Sequence, residues 1–495
     1  MKNRLRHLLG QLFSTEGFRG PVLTLLSGTT VVLVISYLSQ LILMRLYTPE
    51  EYGVLHFFMA VLVVLASFSS LRYEDALMLP DDEEEAASVV WLALLLLGFF
   101  AALCGVLLIW REEIAALLNM SALIPWLFLI PPTLLLMRGS RIAEWWLIRS
   151  KRFRPIAAGQ ITSVVSMVTT RIGAGLPPMN AGAGGLIGGT IVGHMASFLV
   201  LGWYTLRQSA RVLFSSFRWS RIPIVARRYR RFPLYSTPST LLAAVISRLP
   251  ILLIPQFFDE ATAETVVGLF GQAFAMLAIP LSHIGEAIAR VFFVHAAEAH
   301  REQRLTEVTL TVHQRLVMFG LFPTLALLLA GPDVFEVVFG SEWREAGTFI
   351  QYVGLWFFLA SVASPLTRLF DVLERQRLDF ALSALMFVAL TTALIVGGKT
   401  GNVITLLLLI GAAGAGVRII QLAVLLRLAD GSLNAALRAY GRYFLFSLPG
   451  LFLIAGALQL GNAWATTGAV GVAGLLYGIV VLWKDQLLTP YRKAS

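Results

Sequence analysis

Long apolar segments separated by short polar ones run through the whole chain. A helix needs about 20 predominantly apolar residues to cross the hydrocarbon core of a bilayer. Fourteen segments meet this requirement: 21–44, 52–70, 86–110, 122–148, 155–176, 183–206, 232–255, 265–294, 307–330, 346–370, 378–397, 402–427, 436–459 and 463–483. The pattern therefore predicts an all-α polytopic membrane protein with fourteen transmembrane helices.

The basic residues predict how these helices are oriented. An even number of spans places both termini on one side, and 32 of the 39 Lys and Arg residues then lie on that side, against four on the other. Basic residues collect in cytoplasmic loops, so we expect both termini in the cytoplasm. The first segment follows a basic tail and is too long for the core of a signal peptide, so we expect an uncleaved anchor.

A basic linker divides the chain. Residues 207–231 carry eight arginines among apolar residues such as Phe214 and Trp219, a composition typical of a segment that lies on anionic headgroups. We expect an N-terminal six-helix lobe over 1–206, the linker over 207–231 and a second six-helix lobe over 232–427. Two additional helices and a cytoplasmic tail make up 428–495.

Two features of the first lobe return in the second. The first helix of each lobe leads into a short acidic turn and then a glycine, Gly53 or Gly268. The sixth and twelfth segments carry closely spaced glycines, which let helices approach in a membrane: Gly185, Gly189 and Gly193, then Gly411, Gly414 and Gly416. We expect a parallel pseudo-twofold repeat around a central cavity. The alternative is that glycine-rich helices are simply common in membranes.

Composition excludes several classes of protein. Only 14% of the 495 residues are charged and 57% are apolar, unlike a soluble or a disordered chain. The single cysteine, Cys104, excludes a disulfide scaffold. The net charge of +10 fits basic loops, and with no aromatic–basic module we expect no nucleic-acid partner. We expect no cofactor, and no metal site at His295, Glu298 and His300, because their spacing does not share one helical face.

Three arginines fall inside the predicted spans and are assigned to neither side of the membrane, and a charge in that position is costly and therefore suggests a function. Arg171 and Arg248 lie in the outer third of the fifth and seventh segments, and Arg418 lies in the inner half of the twelfth. Arginine binds phosphate oxygens through a fork of N–H donors and stays charged when buried. We therefore predict an anion-binding role for all three. The alternatives are snorkelling of Arg171 and Arg248 to the interface and helix packing for Arg418.

Mixed charges end the second helix of each lobe. The first lobe has Arg72, Glu74 and Asp75, and the second has three charged residues on one helical stripe: His283, Glu286 and Arg290. Salt bridges between the two sets would form a cytoplasmic gate, whereas the simpler interpretation is local pairing at helix ends. The acidic residues 81–85 are expected to form a solvated loop.

Six short stretches of the sequence form a recognisable set of motifs: Leu46-Tyr-Thr-Pro-Glu-Glu-Tyr-Gly53, Leu71-Arg-Tyr-Glu-Asp-Ala-Leu77, Tyr229-Arg-Arg-Phe-Pro-Leu-Tyr-Ser-Thr-Pro-Ser-Thr240, Phe339-Gly-Ser-Glu-Trp-Arg-Glu-Ala-Gly347, Ala363-Ser-Pro-Leu-Thr-Arg368 and Leu373-Glu-Arg-Gln-Arg377. Together these motifs give the sequence a resemblance to the polysaccharide-biosynthesis family of Wzx-type flippases. These proteins are similar to MATE exporters and to the flippase of the peptidoglycan lipid precursor. The resemblance implies two six-helix lobes around a central cavity.

The resemblance also implies a function. It implies movement of an undecaprenyl-pyrophosphate-linked oligosaccharide from the inner to the outer leaflet of a bacterial inner membrane, with no enzymatic activity. The lipid-linked oligosaccharide, membrane lipids and other polysaccharide assembly proteins are the implied partners. A cation-coupled multidrug exporter is the rival within the superfamily, although the charges inside the spans are mainly basic. A glycan polymerase or ligase is a further alternative, against which the short outer loops count.

Overall fold

The computed structural model describes the backbone of residues 19–484. Within that range it describes the side chains except those of residues 19–29, 278–284, 286, 287, 290, 291 and 294. The described chain is helical and contains no β-strand.

Each of the fourteen apolar segments lies largely within a long helix of the structure. In chain order the helices are α1 Arg19–Leu46, α2 Pro49–Phe68, α3 Glu83–Leu107, α4 Ile130–Arg149, α5 Phe153–Gly175, α6 Ala183–Ser215, α7 Thr237–Leu253, α8 Glu260–Arg301, α9 Leu305–Phe339, α10 Arg344–Leu366, α11 Gln376–Gly398, α12 Val403–Leu428, α13 Leu433–Leu458 and α14 Ala463–Lys484. Short helices lie between some of them.

The chain is a multi-pass membrane protein, but fewer than fourteen of these helices are clear membrane spans. Within the described residues, ten helices are long and apolar enough to cross a bilayer. An eleventh is obtained if the helix Ser121–Leu127 and α4, which meet at 61°, form one bent span. Helix α5 is not among the ten and includes polar residues such as Gln160 and Arg171. Fourteen crossings therefore stay a prediction.

Polar side chains cap the helices that follow short turns. Thr48 Oγ1 accepts a hydrogen bond from the Glu51 amide at 3.4 Å, and the Glu51 carboxylate accepts one from the Thr48 amide at 3.0 Å. This capping box supplies partners to amides that the first helical turn leaves free. Asp259 caps α8 by accepting from the Thr262 amide at 3.1 Å, and these hydrogen bonds lower the pKa of its carboxyl. The acidic turn after the first helix of each predicted lobe thus caps the helix that follows it.

The acidic residues 81–85, predicted as a solvated loop, are exposed as far as Glu84, but only Asp81 and Asp82 lie outside a helix. Asp82 is the N-cap of α3, and its carboxylate accepts from the amides of Glu84 and Glu85. Residues 83–85 form the first turn of α3, where negative charge interacts favourably with the helix dipole. Consecutive acidic residues therefore begin a helix here.

The chain forms two compact units, Met1–Arg248 and Leu249–Ser495. The division falls inside α7, later than the predicted end of the first lobe. Residues 207–215 of the predicted linker continue α6, and Ile222–Arg228 forms a short helix. The four-part division into lobes, linker and extra helices stays a prediction.

Glycines bring helices together in the N-terminal unit, as their spacing predicted. A Cβ atom on Gly189 would lie 2.9 Å from the Met167 carbonyl oxygen, and one on Gly193 would lie 2.9 Å from that of Ser163. Any side chain at either position would push α6 away from α5. Close contact between these two helices therefore depends on the glycines.

The last two helices are part of the packing of the C-terminal unit. The ring of Tyr477 in α14 stacks on Phe322 of α9 at 4.8 Å, and its hydroxyl donates to the Met318 carbonyl at 2.6 Å.

Gly411 and Gly414 of α12 pack closely on α10, whereas Gly416 faces open space. Of the three glycines predicted to allow close helix packing in α12, two therefore lie at a close contact with another helix and one does not.

Candidate functional site

Arg248 is a half-buried cation in an apolar helix. It lies in α7, two residues before Pro250, and the helix continues through the proline to Leu253. Its Nε is buried and donates to no acceptor among the described residues, and no described carboxylate pairs with it. Such a guanidinium has unused donors and uncompensated positive charge. Both properties favour the binding of an anion.

Arg171 is buried, with 8% of its surface exposed, and is held by polar groups of α6. Its Nε donates to the Leu186 carbonyl at 3.1 Å and its Nη2 donates to Thr190 Oγ1 at 2.8 Å. Its own carbonyl accepts a hydrogen bond from the Tyr47 hydroxyl at 2.6 Å. The snorkelling alternative does not describe this arginine, because its guanidinium is fixed between helices. Two of its donors are already occupied by structural partners.

Arg418 lies close to polar groups of its own helix and of α11. Its Nη1 donates to the Gln421 side-chain oxygen at 2.5 Å, and the carboxylate of Asp379 acts on it electrostatically. Its Nε is buried and has no acceptor in the described part of the chain. The hydrogen bond to Gln421 and the electrostatic interaction with Asp379 are compatible with the helix-packing interpretation, and one donor is left unused.

The charges after α2 are paired within the N-terminal unit. Arg72 pairs with Asp75 at 2.5 Å, and Glu74, which is fully buried, pairs with Arg138 of α4. Ser70 Oγ donates to the same Glu74 carboxylate at 2.6 Å. Burial raises the pKa of Asp75 above its usual range, and the charge of Arg72 opposes this shift. The described charges of this set therefore form one local ion pair, Arg72–Asp75, and one ion pair to another helix, Glu74–Arg138.

The other half of the predicted gate lies outside the described residues. The side chains of His283, Glu286 and Arg290 belong to the part of α8 whose side chains the structure does not describe. Pairing between the two sets of charges stays a prediction.

Two buried polar residues were missed by the sequence analysis. Arg138 lies in the fourth apolar segment, and its guanidinium binds both Glu74 and Ser70. His313 of α9 is 1% exposed, and its Nε2 lies 3.3 Å from the hydroxyl of Tyr440 in α13. Their positions inside apolar segments were the available signal. Their partners, 64 and 127 residues away, left no local pattern.

A family model described as "Polysaccharide biosynthesis protein" matches residues 42–348, more than half of the chain. The chain belongs to this family. The matched range includes Arg72, Arg171 and Arg248 but ends before Arg418. Two of the six motifs, beginning at Ala363 and Leu373, also lie beyond it.

The chain is similar in fold to solved structures of other proteins. It is similar to "Lipid II flippase MurJ, inward closed conformation", with a TM-score of 0.66 and 13% identity, over 93% of this chain and 100% of that one. It is also similar to an inward-facing multidrug resistance MATE family transporter of the MOP superfamily. That match has a TM-score of 0.64 and 14% identity, over 80% of this chain and 94% of the other. A comparison with curated proteins gives no significant match.

Metal ligands do not gather in the region that the structure describes. No group of three or more His, Cys, Asp or Glu side chains within that region could hold a metal ion. His295 and Glu298 approach each other at 3.6 Å as an exposed pair one helical turn apart. The polar groups that converge inside the described helices are instead mainly arginines and their hydrogen-bond acceptors.

Proposed function

We propose that the protein is a flippase that moves an undecaprenyl-pyrophosphate-linked oligosaccharide from the inner to the outer leaflet by alternating access. The family match over residues 42–348 carries the proposal, and the similarity to a lipid II flippase supports it. The sugar and the diphosphate of such a lipid cannot cross hydrocarbon unaided, because their polar groups would lose their hydrogen bonds to water. The polyprenyl tail can stay in the bilayer throughout.

Arg248 is the residue that we propose contacts the diphosphate. It has a buried Nε without an acceptor and no described carboxylate beside it, so a phosphate oxygen would supply the missing partner. Arg171 and Arg418 would contribute positive charge, but parts of their guanidinium groups already bind Thr190 and Gln421. We therefore assign Arg248 the direct contact and the other two arginines secondary roles.

Transport by purified protein in vesicles tests the proposal. A fluorescent lipid diphosphate carrying a short oligosaccharide is placed in both leaflets, and its accessibility to an external quencher is followed over time. Arg248→Ala should abolish exchange between leaflets, whereas Arg248→Lys should keep part of it, because the charge remains while the bidentate fork is lost.

The matched control is Arg438→Ala in α13, where the arginine is exposed and donates only to the Asn434 carbonyl of its own helix. This variant should transport like the unchanged protein. Full activity of Arg248→Ala at equal protein level would contradict the role of Arg248. Failure of the unchanged protein to exchange the lipid would contradict the flippase proposal.

A multidrug exporter is the second candidate, because a MATE transporter shares the fold with a TM-score of 0.64. Cationic drugs require acidic or aromatic binding groups, whereas Arg171, Arg248 and Arg418 are all cationic. Uptake of a fluorescent cationic dye into the same vesicles, driven by an ion gradient, would favour this candidate. We place the flippase in the bacterial inner membrane with both termini in the cytoplasm, and other polysaccharide assembly proteins are candidate partners.

A further inference from the structure

The linker arm, which we define as residues 207–231, contains more positive charge than its described surroundings neutralise. Arg221 pairs with Glu84 at 2.7 Å and Arg228 pairs with Glu85 at 2.8 Å. The other six arginines are exposed and form no ion pair with a described residue: Arg207, Arg211, Arg218, Arg227, Arg230 and Arg231. The arm therefore presents a row of unneutralised guanidinium groups.

One side of the arm is fixed to the N-terminal unit. The indole of Trp91 in α3 donates to the Leu213 carbonyl at 2.8 Å, and its ring lies 4.8 Å from that of Phe217. The Tyr73 hydroxyl donates to the Ala226 carbonyl at 3.1 Å, and the Tyr229 hydroxyl donates to Glu85 at 3.1 Å. Burial, together with that last contact, raises the pKa of Tyr229. The arm is thus a seated element and not a free loop.

The other side of the arm exposes large apolar side chains between the arginines. Trp219 is 68% exposed and Ile224 is 64% exposed. Phe214 is 60% exposed, although its ring also lies 5.9 Å from that of Trp91. Leu234 and Tyr235, which follow the arm directly, are similarly exposed. Exposed aromatic and aliphatic groups mixed with arginine are typical of segments that lie in the headgroup region of a bilayer.

The position of the arm along the chain places it next to a bilayer. It joins α6 to the segment Phe232–Phe257, and both are apolar enough to cross a membrane. Glu84 and Glu85, to which it is bound, begin α3, another candidate span. An element that connects the ends of spans and is attached to the start of a third must lie at the membrane surface.

We propose that the linker arm is a binding surface for the headgroups of anionic phospholipids. The six unpaired arginines bind lipid phosphates, and the exposed apolar side chains enter the headgroup–acyl boundary. The ion pairs of Arg221 and Arg228 orient the arm so that this side faces the lipid. The inference concerns the arm alone and does not depend on which molecule the protein transports.

An environment-sensitive thiol probe at the arm tests the inference without altering its charge. In a Cys104→Ala background, the exposed Ser220 is replaced by Cys and labelled with bimane, with Ser150→Cys as the matched exposed control. In nanodiscs containing phosphatidylglycerol, the Ser220→Cys label should show blue-shifted emission and weaker aqueous quenching than in phosphatidylcholine. The control label should change much less. Equal spectra of the Ser220→Cys label in both lipids would overturn the inference.

Charge removal provides the second test. The triple variant Arg211→Gln, Arg218→Gln and Arg227→Gln is compared with Lys151→Gln, Arg152→Gln and Arg154→Gln, a second exposed cluster with the same charge. The arm variant should bind phosphatidylglycerol about tenfold more weakly, measured by native mass spectrometry, because each basic residue near an anionic surface adds to the affinity. The control should change less than about twofold. Equal losses in both variants would overturn the inference.

A lipid-source control separates bulk lipid from a transported lipid diphosphate. Undecaprenyl pyrophosphate is added to phosphatidylcholine nanodiscs that carry the labelled Ser220→Cys protein. A blue shift with this lipid but none with phosphatidylglycerol would mean that the arm collects the diphosphate, which would overturn the assignment to anionic phospholipid. A shift with phosphatidylglycerol alone supports it.

Discussion

A buried ion pair dominates the electrostatics of the segment after α2. The Glu74 carboxylate is fully buried and is contacted by Arg138 and by Ser70. The segment begins at Leu71 and Arg72, whose φ angles of 50° and 60° lie in the left-handed region that non-glycine residues seldom adopt. The ion pair therefore stabilises a turn whose backbone is itself unfavourable.

Removing Arg138 should be costly, because the change leaves an uncompensated carboxylate in the interior. We expect Arg138→Met to lower the free energy of unfolding by about 3–5 kcal/mol, measured by thermal or denaturant unfolding in detergent. The control is Arg141→Met, which breaks the more exposed Arg141–Glu144 pair and should cost less than about 1 kcal/mol. Adding Glu74→Gln to Arg138→Met should recover part of the loss. Equal losses in the two single variants would show that burial does not strengthen the Glu74 pair.

The sequence predicts which single residues are unusual, but it does not predict the groups that surround them in the fold. Arg171, Arg248 and Glu74 were selected because each is a charge in or beside an apolar segment. Their environments differ, since Arg171 is hydrogen-bonded, Glu74 is ion-paired and Arg248 has no partner among the residues that the structure describes. These differences depend on residues distant in the chain, which no local pattern reports.

At the scale of elements, the four-residue spacing of the glycines in α6 explains how that helix packs against α5. The positions 185, 189 and 193 lie on one helical face, and the structure packs that face against α5. Gly188 lies one position away and has no atom within 4 Å of where its Cβ would be. Because the packed Gly189 and the open Gly188 lie on the same helix, the same substitution at each can be compared for its effect on stability.

We expect Gly189→Val to destabilise the protein by about 1–3 kcal/mol or more, because its side chain would collide with the backbone of α5. Gly188→Val should stay within about 0.5 kcal/mol of the unchanged protein, since it projects into open space. Thermal unfolding in the same detergent measures both. Equal stability of the two variants would contradict the close packing of α5 and α6.

Some residues of the motifs that carry the family resemblance also stabilise the local structure, as helix caps, buried side chains or ion pairs. Thr48 and Glu51 form the capping box of α2, and Tyr52 is buried beside them. In the C-terminal unit, Trp343 is fully buried and Arg344 pairs with Asp333 at 2.9 Å and with Glu336. These residues therefore have clear roles in folding, which their short sequence patterns alone did not indicate.

At the scale of the whole molecule, the sidedness predicted from the basic residues can be tested by thiol labelling. In a Cys104→Ala background, Met179→Cys and Ser341→Cys should react with an impermeant reagent added outside sealed cells, because these exposed positions lie in predicted outer turns. Ser150→Cys, Ser220→Cys and Gln376→Cys should react only after permeabilisation. Ser220 is chosen because the neighbouring Ser216 is 2% exposed and would not react on either side. Outside labelling of the second group would contradict the orientation.

The sequence by itself determined that the chain is a helical membrane protein, where its long helices lie and which family motifs it contains. Hydropathy is a property of neighbouring residues, so the order of residues along the chain is enough to predict where the long helices lie. Only the tertiary structure decided that Arg171 is bound by Thr190, that Glu74 pairs with Arg138 and that the acidic residues 84 and 85 hold the linker arm. These contacts join residues 19 to 143 positions apart, and their energies depend on burial and distance, which arise only when the helices pack.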